Sequence, residues 1–398
     1  MASAPRGAEP FDRRSQAAPA SRFGRGDLFR LGLAVAAAST IVAGSPVVNT
    51  IRQALLVAWP AAYVPVLAGV VAVTGLALVV FALRSMPDRS WPRLAALAMA
   101  VVLAVGSGAA LQTGVANVDA VEAFHFVEYS ALTLLFAWAL TRPAGAWAWL
   151  WAAYAALLVG AVDEWTQWFV PGRTGEIRDV AINGIAITCG LLLALALDVG
   201  AGPRRVGRLW PLGAGAAAVL LVVAGFFGCA HLGYELRDDE AGAFMSYHSR
   251  EGLAALSAEH ARAWGDRGPA PQGQFSREDQ YLSEALWHVR RRNQAMDDGD
   301  LVVAWRENRI LEKYFVPVLR MPTADGAGHA LASAQVAGLE PGRAAAPGRS
   351  DANPIPIYTW RPAAYWTVVL AFAAAVVLLT TRVEAGLAAR RAPEDAHA

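Results

Sequence analysis

DEWTQWFVPGRTGEIRDVAIN, residues 163–183, sets Asp163, Glu164, Gln167, Arg173, Glu176, Arg178, Asp179 and Asn183 between two apolar runs, 147–162 and 180–197. Ionisable side chains at a membrane boundary are costly unless they pair, border water or serve a function, so this stretch is the first place to look for one. Upstream, the short run His125-Phe126-Val127-Glu128-Tyr129 is its counterpart at the start of another apolar segment.

The runs on either side decide the fold. The chain has 398 residues, is 56% hydrophobic and 17% charged, and has a mean hydropathy of +0.35. Its apolar residues are not dispersed at the period of a surface helix. They come as charge-free runs of about 20 residues, the length that spans a bilayer as helix. Eight such spans fall near 28–48, 61–83, 93–112, 124–141, 146–162, 179–198, 211–229 and 362–381. The expected class is all-α, a polytopic membrane helix bundle. Residues 1–27 read as a disordered cytoplasmic tail, 28–92 as two N-terminal spans, 93–198 as the membrane domain that holds the polar stretch, and 199–229 as the seventh span. Residues 362–398 form the last span and a cytoplasmic tail. A net charge of +1 offers no surface for nucleic acid. Cys189 and Cys229 both lie in apolar runs, so neither a disulfide framework nor a Cys/His metal spacing can be built.

Orientation follows from the arginines. Arg84, Arg89, Arg142, Arg204, Arg205 and Arg208 fall in alternate short loops, and Arg382, Arg390 and Arg391 in the C-terminal tail. Loop 113–123 has no Arg or Lys and carries Asp119 and Glu122. Both termini are therefore expected in the cytoplasm and the polar stretch outside, against which Arg52, Arg173 and Arg178 count as exceptions. Trp147, Trp149, Trp151, Trp165 and Trp168 near the ends of the fifth span suit a belt at headgroup level.

The long connection 230–361 reads as a small helical extracytoplasmic domain at 235–320. Ser276 followed by Asp279 resembles a capping box, Tyr281, Leu282, Ala285, Leu286 and Val289 form a helical stripe, and a second helix is expected from about Asp300 to Tyr314. The Ala/Gly/Pro-rich residues 322–356 read as a flexible return to the last span. A protein partner for this domain is not readable from the sequence.

With this topology the start of span four, the end of span five and the start of span six share one leaflet. His125 and Glu128 lie three apart on one helix face, Gln167 follows Asp163 by four, and Asn183 follows Asp179 by four. His125, Glu128, Asp163 and Glu164 are the candidates for acid/base work. Gln167, Arg173, Arg178, Asp179 and Asn183 are the candidates for binding a ligand, the arginines through phosphate or carboxylate. No cofactor is expected. The residue set admits only a variant in which His125 joins Asp163, Glu164 or Asp179 on Mg²⁺, Mn²⁺ or Ca²⁺. No Gly-rich nucleotide loop, GxSxG or HExxH is present.

HFVEY followed after one span by DEWTQWFVPGRTGEIRDVAIN resembles the VanZ-like family of bacterial membrane proteins. The matches are His125, Tyr129, Asp163, Glu164, Gln167, Pro171, Gly172, Arg173, Asp179, Asn183 and Gly184. Glu128 departs from the pattern, standing where an aromatic or apolar residue is usual. The resemblance covers about 93–198 and implies a helical domain of a bacterial cytoplasmic membrane, in a family named for a member that confers resistance to the glycopeptide teicoplanin. Three readings follow. In the first, an outward polar site binds a lipid-linked or glycopeptide-like ligand in cell-envelope processes. In the second, the same residues form an intramembrane hydrolase or transferase acting on a lipid carrier. In the third, they are a structural polar lock, and function lies in 235–320.

Overall fold

The computed structural model describes residues 24–170, 173, 175–200, 208–264, 277–322, 328–339 and 348–395. Its long helices are α1 (Arg25–Ala58), α2 (Pro60–Ser85), α3 (Trp91–Ala110), α4 (Ala116–Leu140), α5 (Ala148–Trp168), α6 (Ile177–Ala196) and α7 (Trp210–His231). Prolines sit in the first turns of α2, α3 and α7, where a missing N–H costs nothing. Together with residues 362–387 of the C-terminal helix, all of these but α5 are long and apolar enough to cross a membrane, seven among the described residues.

The fifth expected span, α5, is the least apolar because Asp163, Glu164 and Gln167 occupy its final turns and Trp149, Trp151 and Tyr154 its first ones. It nevertheless runs the full depth of its neighbours. At one end Trp149 Nε1 donates to the Val199 carbonyl at 2.7 Å, and the Gly200 N–H donates to Thr141 Oγ1 at 3.1 Å. At the other end α5 meets the starts of α4 and α6 through Tyr129–Asp163 and His125–Asn183 hydrogen bonds. Hence α4 and α6 lie parallel, with α5 antiparallel to both.

Small residues let these helices close up, as lipid-immersed packing requires. A Cβ on Gly190 would stand 2.7 Å from both the Ser130 carbonyl and Thr133 Cβ across the α4–α6 seam. Ser130 crosses the same seam, donating to the Ala186 carbonyl at 2.9 Å. On α2 only Ala82 is buried, while Val66, Val73, Leu76 and Phe81 point outward. An apolar exterior of this kind is what a lipid-facing helix presents. Two tryptophans expected in a headgroup belt pack inward instead: Gly215 of α7 lies against Trp151, and Gly225 against Trp165. Glycine faces on α7 make room for them, which α5 alone does not reveal.

Between α7 and the last helix lies a separate small domain. It opens with a hairpin, β1 (Tyr234–Asp238) and β2 (Gly242–Ser246), antiparallel with Tyr234 opposite Ser246. Then come α8 (Arg250–Trp264), α9 (Arg277–Asp297), α10 (Leu301–Tyr314), α11 (Val316–Leu319) and α12 (Ser333–Leu339), before α13 (Pro362–Asp395) returns along α7. Asp300 caps α10 by accepting from the Val303 N–H at 3.1 Å, whereas Ser276 of the expected capping box lies outside the described residues. Leu236, Phe244, Leu253, Tyr281, Ala285, Ile310, Leu311 and Phe315 form the domain's core. The hairpin and α8 add to the two helices expected.

Over its described residues the return, expected from its composition to be a flexible tether, packs on the domain. Ser350 pairs with β2 as a short third strand, donating its N–H to the Ala243 carbonyl at 3.0 Å and accepting from Met245 at 2.7 Å. Its hydroxyl donates to Glu307, which also receives His288 Nδ1 at 2.6 Å. Leu339, Ala352, Ile355 and Ile357 are buried. Residues 340–347 lie outside the described residues.

One buried group gives this domain a pH dependence. Glu284 is fully buried, accepts from the Tyr247 N–H at 3.1 Å and Ser246 Oγ at 3.2 Å, and burial pushes its carboxyl from 4.5 up to about 8. The folded protein thus holds a proton that the unfolded chain releases. Its contribution to stability is full below about pH 4.5 and lost as pH rises towards 8. Glu284→Gln cannot ionise, so the melting temperature of the variant relative to wild type is expected to climb between pH 5 and pH 8. A constant difference across that range contradicts this account.

Candidate ligand site

The polar groups of α4, α5 and α6 meet at one end of the bundle. His125 Nδ1 lies 2.8 Å from Asn183 Oδ1, which makes the imidazole the donor. Tyr129, one turn on from His125, donates its hydroxyl to Asp163 Oδ2 at 3.2 Å. Gln167 is the hub. Its amide nitrogen donates to Asp163 Oδ2 at 2.8 Å and Glu164 Oε1 at 3.0 Å, and its oxygen accepts from Arg173. Tyr129, Glu164 and Asn183 are wholly buried, and Asp163 is 4% exposed. Three buried atoms face inward with no hydrogen-bond partner among the described residues: Asp163 Oδ1, Glu164 Oε2 and Asn183 Nδ2.

Two backbone features shape the site. Gly160 on α5 faces Asn183 and the Tyr129 ring, where a Cβ would meet atoms of both at 3.2–3.3 Å. Gly175, in the loop between α5 and α6, lies directly on the end of α5. A Cβ there would fall 2.2 Å from the Glu164 carbonyl oxygen and 3.0 Å from the Trp168 nitrogen. Arg173, two residues earlier, donates to Gln167 beside the two carboxylates.

Of the nine residues singled out from sequence, His125, Asp163, Glu164, Gln167, Arg173 and Asn183 come together. Glu128 stands at their edge: Tyr129 takes the hydrogen bond to Asp163, and the Glu128 carboxyl stays within electrostatic reach of Asp163. Glu128 is half-buried and makes no hydrogen bond with the cluster among the described residues. Arg178 is already engaged: it forms an ion pair with Glu122 and donates to the Leu111 carbonyl, with Asp179 at 3.7 Å. It pins the start of α6 to the end of α3 and the first turns of α4, and Asp179 beside it stays within electrostatic reach of Glu164 and Arg173. His125 faces an amide rather than a carboxylate, so the His–carboxylate pair expected of an acid/base centre is not formed. Among the described residues no group of three or more His, Cys, Asp or Glu is placed to hold a metal ion.

Sequence reasoning missed Tyr129 as a site residue, although its i+4 spacing from His125 carries the signal. It also missed His231, at the end of α7. His231 Nε2 accepts from the Ile177 N–H at 3.0 Å, and Nδ1 lies 3.0 Å from the Pro356 carbonyl, to which it donates. The ring stacks on Phe227 at 5.1 Å. One neutral imidazole thus ties the first residue of α6 to the return segment of the small domain. Tyr247 of that domain reinforces the junction, donating to the Ala230 carbonyl at 3.3 Å and packing edge-on against Trp168 at 5.3 Å. His231→Phe keeps the stack and loses both hydrogen bonds. Amide exchange at Ile177 is expected to quicken by about tenfold or more, consistent with loss of a buried hydrogen bond; unchanged exchange contradicts the latch.

The chain is therefore a polytopic helical membrane protein with a buried, partly unpaired polar cluster at one end of its α4–α5–α6 core. Residues 65–198 match the VanZ/LLP1 family model, and over that segment this chain carries a VanZ-like domain. The match runs from within α2 to the end of α6, starting further upstream than the motif-bearing region, and leaves α1, α7, the small domain and α13 outside it. No curated protein and no solved structure matches the chain.

Proposed function

We propose that this protein binds a lipid-linked or glycopeptide-type ligand at the outer face of a bacterial cytoplasmic membrane. On this reading it acts in cell-envelope processes that include resistance to teicoplanin-type glycopeptides. The observation that carries the proposal is the set of buried atoms without a hydrogen-bond partner among the described residues, Asp163 Oδ1, Glu164 Oε2 and Asn183 Nδ2. A polar lock between helices satisfies its own groups, since each unpaired buried group costs about 1–3 kcal/mol. Two free carboxylate acceptors suit hydroxyl or ammonium donors on a ligand. Arg173, half-buried and donating to Gln167 beside the carboxylates, is the group to receive phosphate or carboxylate. The arginine distribution along the loops supports the reading that this end of the bundle faces outside, with both termini in the cytoplasm.

The test is a challenge assay in a sensitive host with membrane levels matched. Wild type is expected to raise the tolerated teicoplanin concentration, and Arg173→Ala to lose that protection. Equal protection by wild type and variant, or none by wild type against any lipoglycopeptide, would overturn the resistance role.

A further inference from the structure

We infer that the ligand of this site is lipid-linked, and that its hydrocarbon chain lies in the groove between α1 and α5. The inference rests on the binding role proposed above and narrows it to one class of ligand. The groove measures about 430 Å³ and is lined by Ala38, Ser39, Val42 and Ala43 of α1 and Leu158, Val159 and Val162 of α5. That volume lies within the range of small-molecule clefts, about 300–1,000 Å³.

Its position relates it to the polar cluster. At about 100° per residue, Leu158, Val162 and Val159 cover one flank of α5, and Asp163 lies one turn beyond Val159, about 40° further round. The carboxylate therefore stands at the edge and upper end of the groove. Helix α1 runs parallel to α5, because Arg30 near its start stacks over Trp138, near the end of α4 remote from the site, at 4.7 Å. Residues further along α1 are thus level with the cluster, and two of them, Ser45 and Asn49, are buried polar side chains. Along the α1–α5 seam the lining changes from apolar beside Ala38 and Val159 to polar beside Asn49 and Asp163. This is the profile of an amphiphile with its tail in the groove and its head at Asp163, Glu164 and Arg173. The small side chains Ala38, Ser39 and Ala43 leave the volume open. Since α1 lies outside the VanZ/LLP1 match, this wall is an addition to the matched domain.

The head has the chemistry of a phosphoryl sugar, with phosphate for Arg173 and hydroxyls for the free oxygens of Asp163 and Glu164. The experiment titrates full-length protein in detergent with undecaprenyl-phosphoryl glucose and with the same phosphoryl sugar on a short citronellyl chain. Wild type is expected to prefer the long chain. Ala43→Phe, on the exposed side of α1, is expected to lower long-chain affinity by about tenfold or more, at roughly fourfold per methylene withdrawn, and to weaken the short-chain compound less, since fewer of its methylenes lie in the groove. Asp163→Asn is expected to weaken both.

Equal binding of the two chains, insensitive to Ala43→Phe, would overturn the groove assignment and leave the polar site standing. Long-chain binding that falls with Ala43→Phe but survives Asp163→Asn would show a groove for bulk lipid, unconnected to the site, and would also overturn it. Binding of neither compound to wild type would overturn the lipid-linked assignment, while teicoplanin protection lost in Arg173→Ala would keep the wider binding role.

Discussion

Gln167→Leu is expected to lower the stability of the whole bundle by about 4 kcal/mol or more. Gln167 hydrogen-bonds Asp163, Glu164 and Arg173 together, through two donated bonds of 2.8 and 3.0 Å and one accepted from the guanidinium. Leucine matches its size but leaves two buried carboxylates and an arginine facing an apolar side chain. Hydrogen bonds to charged groups contribute about 1.5–3 kcal/mol each, and a buried charge stripped of its partner costs about 3–5 kcal/mol. Against a typical margin of about 5–15 kcal/mol, that loss brings the protein near unfolding. The check is thermal unfolding in detergent alongside Thr166→Ala. Thr166 is the preceding residue, and its hydroxyl only donates to the Val162 carbonyl of its own helix. The control is expected within about 0.5 kcal/mol of wild type. Equal losses in the two variants would contradict the hub role.

Gly175→Ala is expected to cost about 3 kcal/mol and to displace Arg173 from the cluster. The glycine is demanded by contact, since its Cβ would fall 2.2 Å from the Glu164 carbonyl oxygen, a backbone atom that cannot rotate away. Relief requires unwinding the end of α5 or lifting the loop. Gly184→Ala is the contrast. Its Cβ would meet nothing nearer than Leu157 Cδ2 at 3.9 Å, so alanine there is expected to stabilise α6 by about 0.5–1 kcal/mol. Melting temperatures of the two variants should move in opposite directions; a neutral Gly175→Ala would mean that the loop does not rest on α5.

Much of this site was legible because helical spacing and span topology suffice to juxtapose helix ends. Asp163 and Gln167 at i+4, and the arrival of His125 and Asn183 at one end of the bundle, follow from those two rules; that His125 bonds an amide and not a carboxylate does not. Choosing between Glu128 and Tyr129 does not. Both lie within about a turn of His125, and about 100° of rotation separates them, so packing of α4 on α5 decides which reaches Asp163. Arg178 was read as a ligand contact because its partner Glu122 is 56 residues away, in the first turns of α4. The same distance problem hid His231, whose two partners lie 54 and 125 residues off. The described part of 322–356 around Ser350 was not legible for another reason. Ala, Gly and Pro report a lack of side-chain bulk, whereas Ser350 is held by backbone pairing and one hydroxyl on Glu307.

The central claim is that the unpaired oxygens at the end of α5 exist for a ligand. Asp163→Asn and Glu164→Gln test it most directly, because each can keep the carboxylate oxygen bonded to Gln167 and replaces only the free one, Oδ1 or Oε2, with an amide nitrogen. Melting temperatures of wild type and both variants are measured in detergent with and without teicoplanin or a prenyl-phosphoryl sugar. The account predicts three proteins of similar intrinsic stability, of which only wild type is stabilised by ligand. Variants that respond to ligand as wild type does, or a wild type that responds to neither compound, would contradict it.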